Sequence, residues 1–364
     1  MAELIIKSDK ILKNIKKLND YLSQNDIKWT LVAKVLSGHK ATLEKLLVDP
    51  EIKNLHSIGD SRLSNLKVIK KIRPDIVTMY IKPPAIQSAK NVIKYADISV
   101  NSSSSTIEAL NKEAQRQGKI HKIVIMVELG ELREGVIREN IVDFYSRIFN
   151  LSNIKIIGLG TNLGCMYGVG PTYDKLIQLC LYEQLLESKF NKRLEIISGG
   201  SSITLPLVGK KKIPKALNHL RIGEAAFLGT SPLNNKKFRN LSTDTFEYDA
   251  NIVEMEEKES SPDGVISKAS IGHLNEPENQ KNKKTYRAIL DFGILDVDVT
   301  DIEPKDKNIQ FIGTTSDMTV YSLGTNINKS QRLKYKVGNR IAFKPNYMAV
   351  ARLMNSKFIS KRVK

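Results

Sequence analysis

The feature that most constrains this chain is an alternation running through its first 230 residues. Short apolar runs at 29–35, 55–58, 76–81, 96–100, 122–128, 154–160, 194–198 and 220–228 read as strands. Stretches with apolar residues at helical spacing lie between them, at 41–48, 61–72, 85–95, 105–117, 139–149 and 173–188, with a short one after Ile203. The run Ile123-Val-Ile-Met-Val127 is of the kind buried on both faces of a parallel sheet. Eight such units predict an α/β chain whose residues 1–235 form an N-terminal (β/α)8 TIM-like barrel. An open doubly wound sheet usually has fewer strands and a Gly-rich first crossover, and no G-x-G-x-x-G follows the first run. Beyond residue 235 the texture changes to short strands expected at 244–255, 284–290, 309–313, 317–322 and 339–343. Residues 236–364 therefore read as a C-terminal mainly-β domain without a long helix, with 256–284 expected to be a long loop.

Charge is the second constraint. Lys and Arg number 57 against 39 Asp and Glu, a formal net charge of +18 over 364 residues. Such a balance suits nucleic acid or anionic lipid. Here it is mostly Lys spread along the chain, and its clusters at 210–212, 281–284 and 357–364 are not interleaved with stacking aromatics. It reads as a solvated surface, with no nucleic-acid or membrane partner expected. No apolar run approaches the roughly 18 residues of a membrane span, and the first residues lack the apolar stretch of a signal peptide. The two cysteines, Cys165 and Cys180, form neither a metal-ligand spacing nor a disulfide framework. A cytoplasmic protein without a metal is the expectation.

Barrels of this kind carry their chemistry at the C-terminal ends of the strands. Reading off those ends gives Lys34, Gly59-Asp60-Ser61-Arg62, Asn101, Glu128 with Gly130-Glu131-Leu132-Arg133, Thr161-Asn162, Gly199-Gly200-Ser201-Ser202 and Arg221-Ile222-Gly223. The Gly-Gly-Ser-Ser turn suits an anion held on backbone N–H groups, and equally suits a plain helix cap. Lys34, between Ala33 and Val35, is either an inward lysine able to form a Schiff base or a rim lysine with its ammonium in water. An inward lysine together with a phosphate cradle is what pyridoxal phosphate requires.

The ordered set of motifs resembles the alanine racemase superfamily of fold-type III pyridoxal-phosphate enzymes, and most of all its ornithine racemase-like branch. The matching stretches are Val32-Ala-Lys34-Val35, Ile58-Gly-Asp-Ser-Arg62, Tyr95-Ala-Asp-Ile-Ser-Val-Asn101, Val127-Glu-Leu-Gly-Glu-Leu-Arg133-Glu-Gly135, Gly158-Leu-Gly-Thr-Asn162, Ile197-Ser-Gly-Gly-Ser201-Ser and Leu220-Arg221-Ile-Gly-Glu-Ala. Weaker similarity continues through Asp296-Val-Asp298, Thr315-Ser-Asp317 and Pro345-Asn-Tyr347. The resemblance implies that Lys34 is the Schiff-base lysine and one of two racemisation bases. It implies that Ser201, with Gly200, Ser202 and the backbone of Ile222 and Gly223, holds the cofactor phosphate. Asn162 would lie against the pyridine ring, Arg221 would face the ring nitrogen, and Arg133 would serve the substrate carboxylate. The family's opposing base is a tyrosine from the partner subunit; its local motif is missing here, and Tyr347 is the candidate, ahead of Tyr286 and Tyr321.

The glycine-rich loop after Lys34 is shorter than in alanine racemases and lacks their phosphate-binding tyrosine, which points away from strict alanine specificity. The expected activity is racemisation of ornithine or another basic amino acid, or of alanine, by a head-to-tail homodimer with shared active sites. A basic side chain calls for a carboxylate, for which Asp317, Asp296, Asp298 and Glu131 are candidates. The alternatives are a fold-type III decarboxylase or aldolase, and a non-catalytic cofactor- or anion-binding protein.

Overall fold

The computed structural model describes residues 1–267, 272–275, 284–328 and 330–364. Its chain falls into two compact units, Asp9–Thr243 and a second made of Met1–Ser8 with Asp244–Lys364. The expected boundary after residue 235 thus lies a few residues before the observed one, and the N-terminal segment joins the second unit.

The reason is β1 (Glu3–Ile6), a short strand not expected from the sequence. Leu4, Ile5 and Ile6 are all buried. This strand pairs antiparallel with Phe246–Glu259 and parallel with Ser360–Val363, partners more than 200 residues away. Helix α1 (Ser8–Ser23) then leads into the first unit.

There, eight parallel strands close into a barrel. They are β2 (Lys28–Val32), β3 (Ser57–Asp60), β4 (Thr78–Tyr80), β5 (Ile98–Asn101), β6 (His121–Met126), β7 (Ile154–Gly160), β8 (Ile196–Ser198) and β9 (His219–Ile222). The ring is closed by β9 against β2, with Thr30 opposite Arg221. All eight expected strands are present, and Ile123 to Val127 are each no more than 1% exposed. Helices between them follow local signals. Ser103 accepts a bond from Thr106 N to start Ser104–Arg116, and Thr172 does the same for Tyr173–Phe190, which stops where Asn191 turns left-handed.

The first and last of the expected strands end well before the sequence suggests. The first ends at Val32, because residues 33–36 wind into a 3-10 turn closed by Ser37 and Gly38 at positive φ. The last ends at Ile222; the apolar Ala225-Ala-Phe-Leu228 is helix, a case where burial alone does not distinguish the two.

The second unit is a mainly antiparallel sheet in the order 302–304, 340–345, 246–259, 284–290, 319–322, 310–314, with β1 and Ser360–Val363 joined to it. Tyr248, Phe292, Tyr321 and Phe343 stack edge-on or tilted in its core. The strand Phe246–Glu259 is longer than expected, taking residues 256–259 out of the proposed loop. Parts of that loop, and Lys281 to Lys283 of one basic cluster, lie outside the described residues. One helix, Tyr347–Asn355, stands where only strands and loops were expected.

Candidate active site

The C-terminal mouth of the barrel gathers most of the expected residues. Lys34 sits on the 3-10 turn directly after β2, with its side chain exposed and its carbonyl accepting from Ser37 N. At the ends of β8 and β9, Arg221 N donates to Gly200 O, tying the Gly-Gly-Ser-Ser turn to the last strand.

That turn fits a phosphate in its backbone. Gly200 has φ +113, and a Cβ there would stand 2.7 Å from Thr204 Oγ1. Only glycine takes this path, and it leaves bare main chain ahead of the helical turns at 202–209. Ser201 is half-buried in it. Ser202 is buried, and its hydroxyl accepts from Ala225 N, capping Glu224–Leu228; it links the two helix starts beside Ile222 and Gly223.

Arg221 points into the barrel. Its Nη2 donates to Thr161 O at 2.6 Å, across β8, and its Nη1 donates to Ser198 Oγ. Burial brings its pKa down to about 10, partly offset by Glu134, so the guanidinium stays charged at neutral pH.

Arg133 lies on the loop after β6, which is folded tightly: Val127 bridges Val136, and a Cβ at Gly135 (φ +147) would come within 2.4 Å of Glu128 N. The loop brings Arg133 against Glu134, which also accepts from Asn162 Nδ2 at 3.3 Å. Burial opposes ionisation of Glu134, but Arg133 and Arg221 outweigh it and hold its pKa below the usual value. Glu134 is thus the acidic centre of the mouth, between Arg133, Asn162 and Arg221. The sequence reading gave it no role, although its place beside Arg133 was a visible signal.

Glu131 is not available to a substrate. Its two oxygens accept five backbone N–H bonds, from Gly164, Cys165, Met166, Tyr167 and Val169, at 2.7 to 3.3 Å. Burial works to raise its pKa, and the backbone bonds from Met166, Tyr167, Val169 and Cys165 lower it below the usual value. This carboxylate clamps the loop after β7, and with it Asn162 and Cys165, onto the loop after β6.

The remaining candidates belong to the second unit. Tyr347 is the half-buried first residue of its helix, behind an Asn346 cap that accepts from Ala349 N. Tyr321 is 1% exposed among Phe311 and Phe343, and burial raises its pKa strongly, so it is core packing and not a base. Tyr286 is half-buried in its strand. Asp298 accepts from Thr300 N and Oγ1, its pKa brought down to about 2 chiefly by those bonds, and pairs with His273 and Arg352. Asp296 accepts from Ser356 Oγ. Both are structural. Asp317 is exposed on a turn, accepting from Thr315 and Ser316 hydroxyls.

Comparison with known proteins agrees with this geometry. Residues 6–232 match the family described as alanine racemase, N-terminal domain. The chain is 32% identical to an ornithine racemase of Acetoanaerobium sticklandii over 99% of both chains. It is 29% identical to a lysine racemase of Thermotoga maritima, over 98% of this chain and 97% of that one. In fold it is similar to an alanine racemase of Clostridium difficile, with a TM-score of 0.74 at 14% identity over 100% of this chain and 95% of the other. With the barrel, its mouth and these relatives in view, the chain belongs to the alanine racemase family and is a pyridoxal-phosphate-dependent amino-acid racemase.

Proposed function

We propose that the protein interconverts the L and D forms of a basic amino acid, ornithine foremost, with alanine as the smaller alternative, at the C-terminal mouth of the barrel. The observation that carries this is Arg221, a buried guanidinium held by two acceptors at the inner mouth of the barrel, the residue that the resemblance assigns to the cofactor ring. Full-length similarity to the ornithine and lysine racemases supports the substrate class.

Pyridoxal phosphate, when bound, acidifies the Cα–H of an amino acid by delocalising the electron pair left behind. Lys34 Nζ anchors it and moves the Cα proton on one side. The Gly200–Ser202 turn, with Ser201 and the main chain of Ile222 and Gly223, binds its phosphate. Asn162 orients its ring. Arg221 donates hydrogen bonds and keeps its own protons, so it offers the ring nitrogen a bond without a transferable proton, which favours simple proton return to Cα. Arg133 binds the substrate carboxylate, with Glu134 holding its guanidinium in place.

Return of the proton on the opposite side needs a second group, and Tyr347 is assigned to it, supplied across a homodimer with shared sites. Asp317 is assigned to the terminal ammonium of a basic substrate. The scarcity of cysteine supports a reducing, cytoplasmic setting. The test is to incubate the cofactor-loaded protein with L-ornithine, L-lysine and L-alanine and follow optical rotation. Ornithine and lysine are expected to racemise faster than alanine. A protein that binds the cofactor and racemises none of the three overturns the proposal.

A further inference from the structure

Beneath Arg221, a row of polar side chains runs down inside the barrel toward its N-terminal end. Ser198 Oγ, which accepts from Arg221 Nη1, lies 2.8 Å from His219 Nδ1. His219 Nε2 lies 3.0 Å from Thr30 Oγ1, which is 2.7 Å from Ser57 Oγ, and Ser57 is 3.2 Å from His56 Nδ1. Thr30 also reaches Met79 on β4, which is not its neighbour in the ring, so the row faces the interior. Every member from Arg221 to Ser57 is buried.

The direction of these bonds follows from valence. A guanidinium only donates, so Ser198 Oγ must accept from Arg221. The Ser198 proton then has one acceptor among its described partners, His219 Nδ1. That fixes the neutral tautomer with its proton on Nε2, donated to Thr30 Oγ1, whose own proton has Ser57 Oγ and Met79 Sδ as acceptors. Burial keeps His219 neutral, with its pKa well below the usual value. A doubly protonated His219 would meet the Ser198 proton head-on and turn the hydroxyl toward a guanidinium that cannot accept it.

We propose that His219 is a positioning residue for Arg221, acting through Ser198: its Nδ1 lone pair orients the Ser198 hydroxyl so that an oxygen lone pair stays on Arg221 Nη1. The inference rests on the proposed reading that Arg221 faces the cofactor ring. It assigns a role in racemisation to a histidine that touches neither substrate nor cofactor. Leaving one buried hydroxyl proton without an acceptor corresponds to a loss of about tenfold in rate.

The discriminating variants are His219→Asn and His219→Gln. The Asn carbonyl oxygen takes the place of Nδ1 and accepts from Ser198, whereas the Gln amide reaches the Nε2 position beside Thr30. Cofactor-loaded proteins are compared by kcat and KM on L-ornithine and by the visible absorption band of the bound cofactor. His219→Gln and Ser198→Ala are expected to lower kcat about tenfold at unchanged KM and to shift the band. His219→Asn is expected to stay within about twofold of the parent in kcat, with the parent's band. If Asn and Gln lose equally, as a purely space-filling histidine requires, or if neither changes kcat or the band, the inference is overturned. Ser198→Ala keeps the test open should a His219 variant fail to fold: an unchanged kcat and band in it also overturns the inference. A parent protein that takes up cofactor but racemises nothing instead removes the functional reading on which the inference stands.

Discussion

One wall of the barrel interior is apolar: Met79, Ile98, Val100, Val124 and Met126, on β4 to β6, are buried in a single cluster that extends to Ile157 and Ile196. The other wall, on β8, β9, β2 and β3, carries Ser198, His219, Arg221, Thr30 and Ser57, equally buried and joined by hydrogen bonds. Both walls fill the same barrel, but by different physics. Apolar packing tolerates volume-conserving change, whereas a buried polar row is stable only while every donor finds its acceptor. The polar wall ends at the mouth in Arg221, beside the turn assigned to the phosphate. The difference teaches that one half of the interior is held by apolar packing and the other by a connected row of hydrogen bonds that reaches the mouth.

The largest expected effect sits at the mouth of the polar wall. Lys34→Ala is expected to lower racemisation of ornithine by about 10³-fold or more, measured by optical rotation, with the unfolding midpoint of the cofactor-free protein unchanged. A fall in both would blur the division between holding and reacting.

The apolar wall should answer in the opposite currency. Ile98→Ala is expected to cost about 2–5 kcal/mol of stability in denaturant unfolding, while kcat of the folded protein stays within about twofold. A loss of activity without a loss of stability would break the comparison.

Glu131→Gln tests the clamp that aligns the two mouth loops. An amide nitrogen would face backbone N–H donors, at a cost of about 1–3 kcal/mol, read as earlier proteolysis of residues 164–169 and a raised KM.

Acid should act on the polar wall too. His56 is brought down to about 4, by burial first and then by Lys28 and Lys122, and His219 is held well below the usual value. The unfolded chain then takes up these protons first, so the stability they confer is complete above about pH 6.5 and is lost as pH falls toward 4. Each contributes a slope of about 1.4 kcal/mol per pH unit in that window. Asp60, raised to about 6 by burial, acts in the opposite sense. His219→Asn should therefore flatten the acid limb of a stability–pH curve by about one histidine's slope; an unchanged limb would place that histidine in contact with water.

These walls also differ in how far the sequence disclosed them. The apolar wall was legible, because Ile123 to Val127 and its counterparts are short apolar runs, most of them rich in β-branched residues, which favour a buried strand. The mouth was legible where a motif carried it: Lys34, Arg133, Asn162, Gly200 and Arg221 stand at strand ends or on the turns that follow. The polar wall was not. Thr30, Ser57 and His219 alternate with apolar residues, and such alternation reads as a solvent-facing side until the ring is closed. Glu131 and Glu134 are similar neighbours in sequence, and only the path of the 164–169 loop distinguishes clamp from site acid. In the second unit, β1 escaped notice because its partners are remote, and the helix at Tyr347 because a nine-residue segment after Pro345 offers few turns of periodicity.

The central claim is that this mouth returns a proton to either side of Cα. The direct measurement is to start separate reactions of the cofactor-loaded protein from L-ornithine and from D-ornithine in deuterium oxide. The account predicts that both converge on the same racemic mixture, with deuterium entering at Cα in step with inversion. Retention of the starting enantiomer in both reactions, or conversion to a decarboxylated amine, would contradict it.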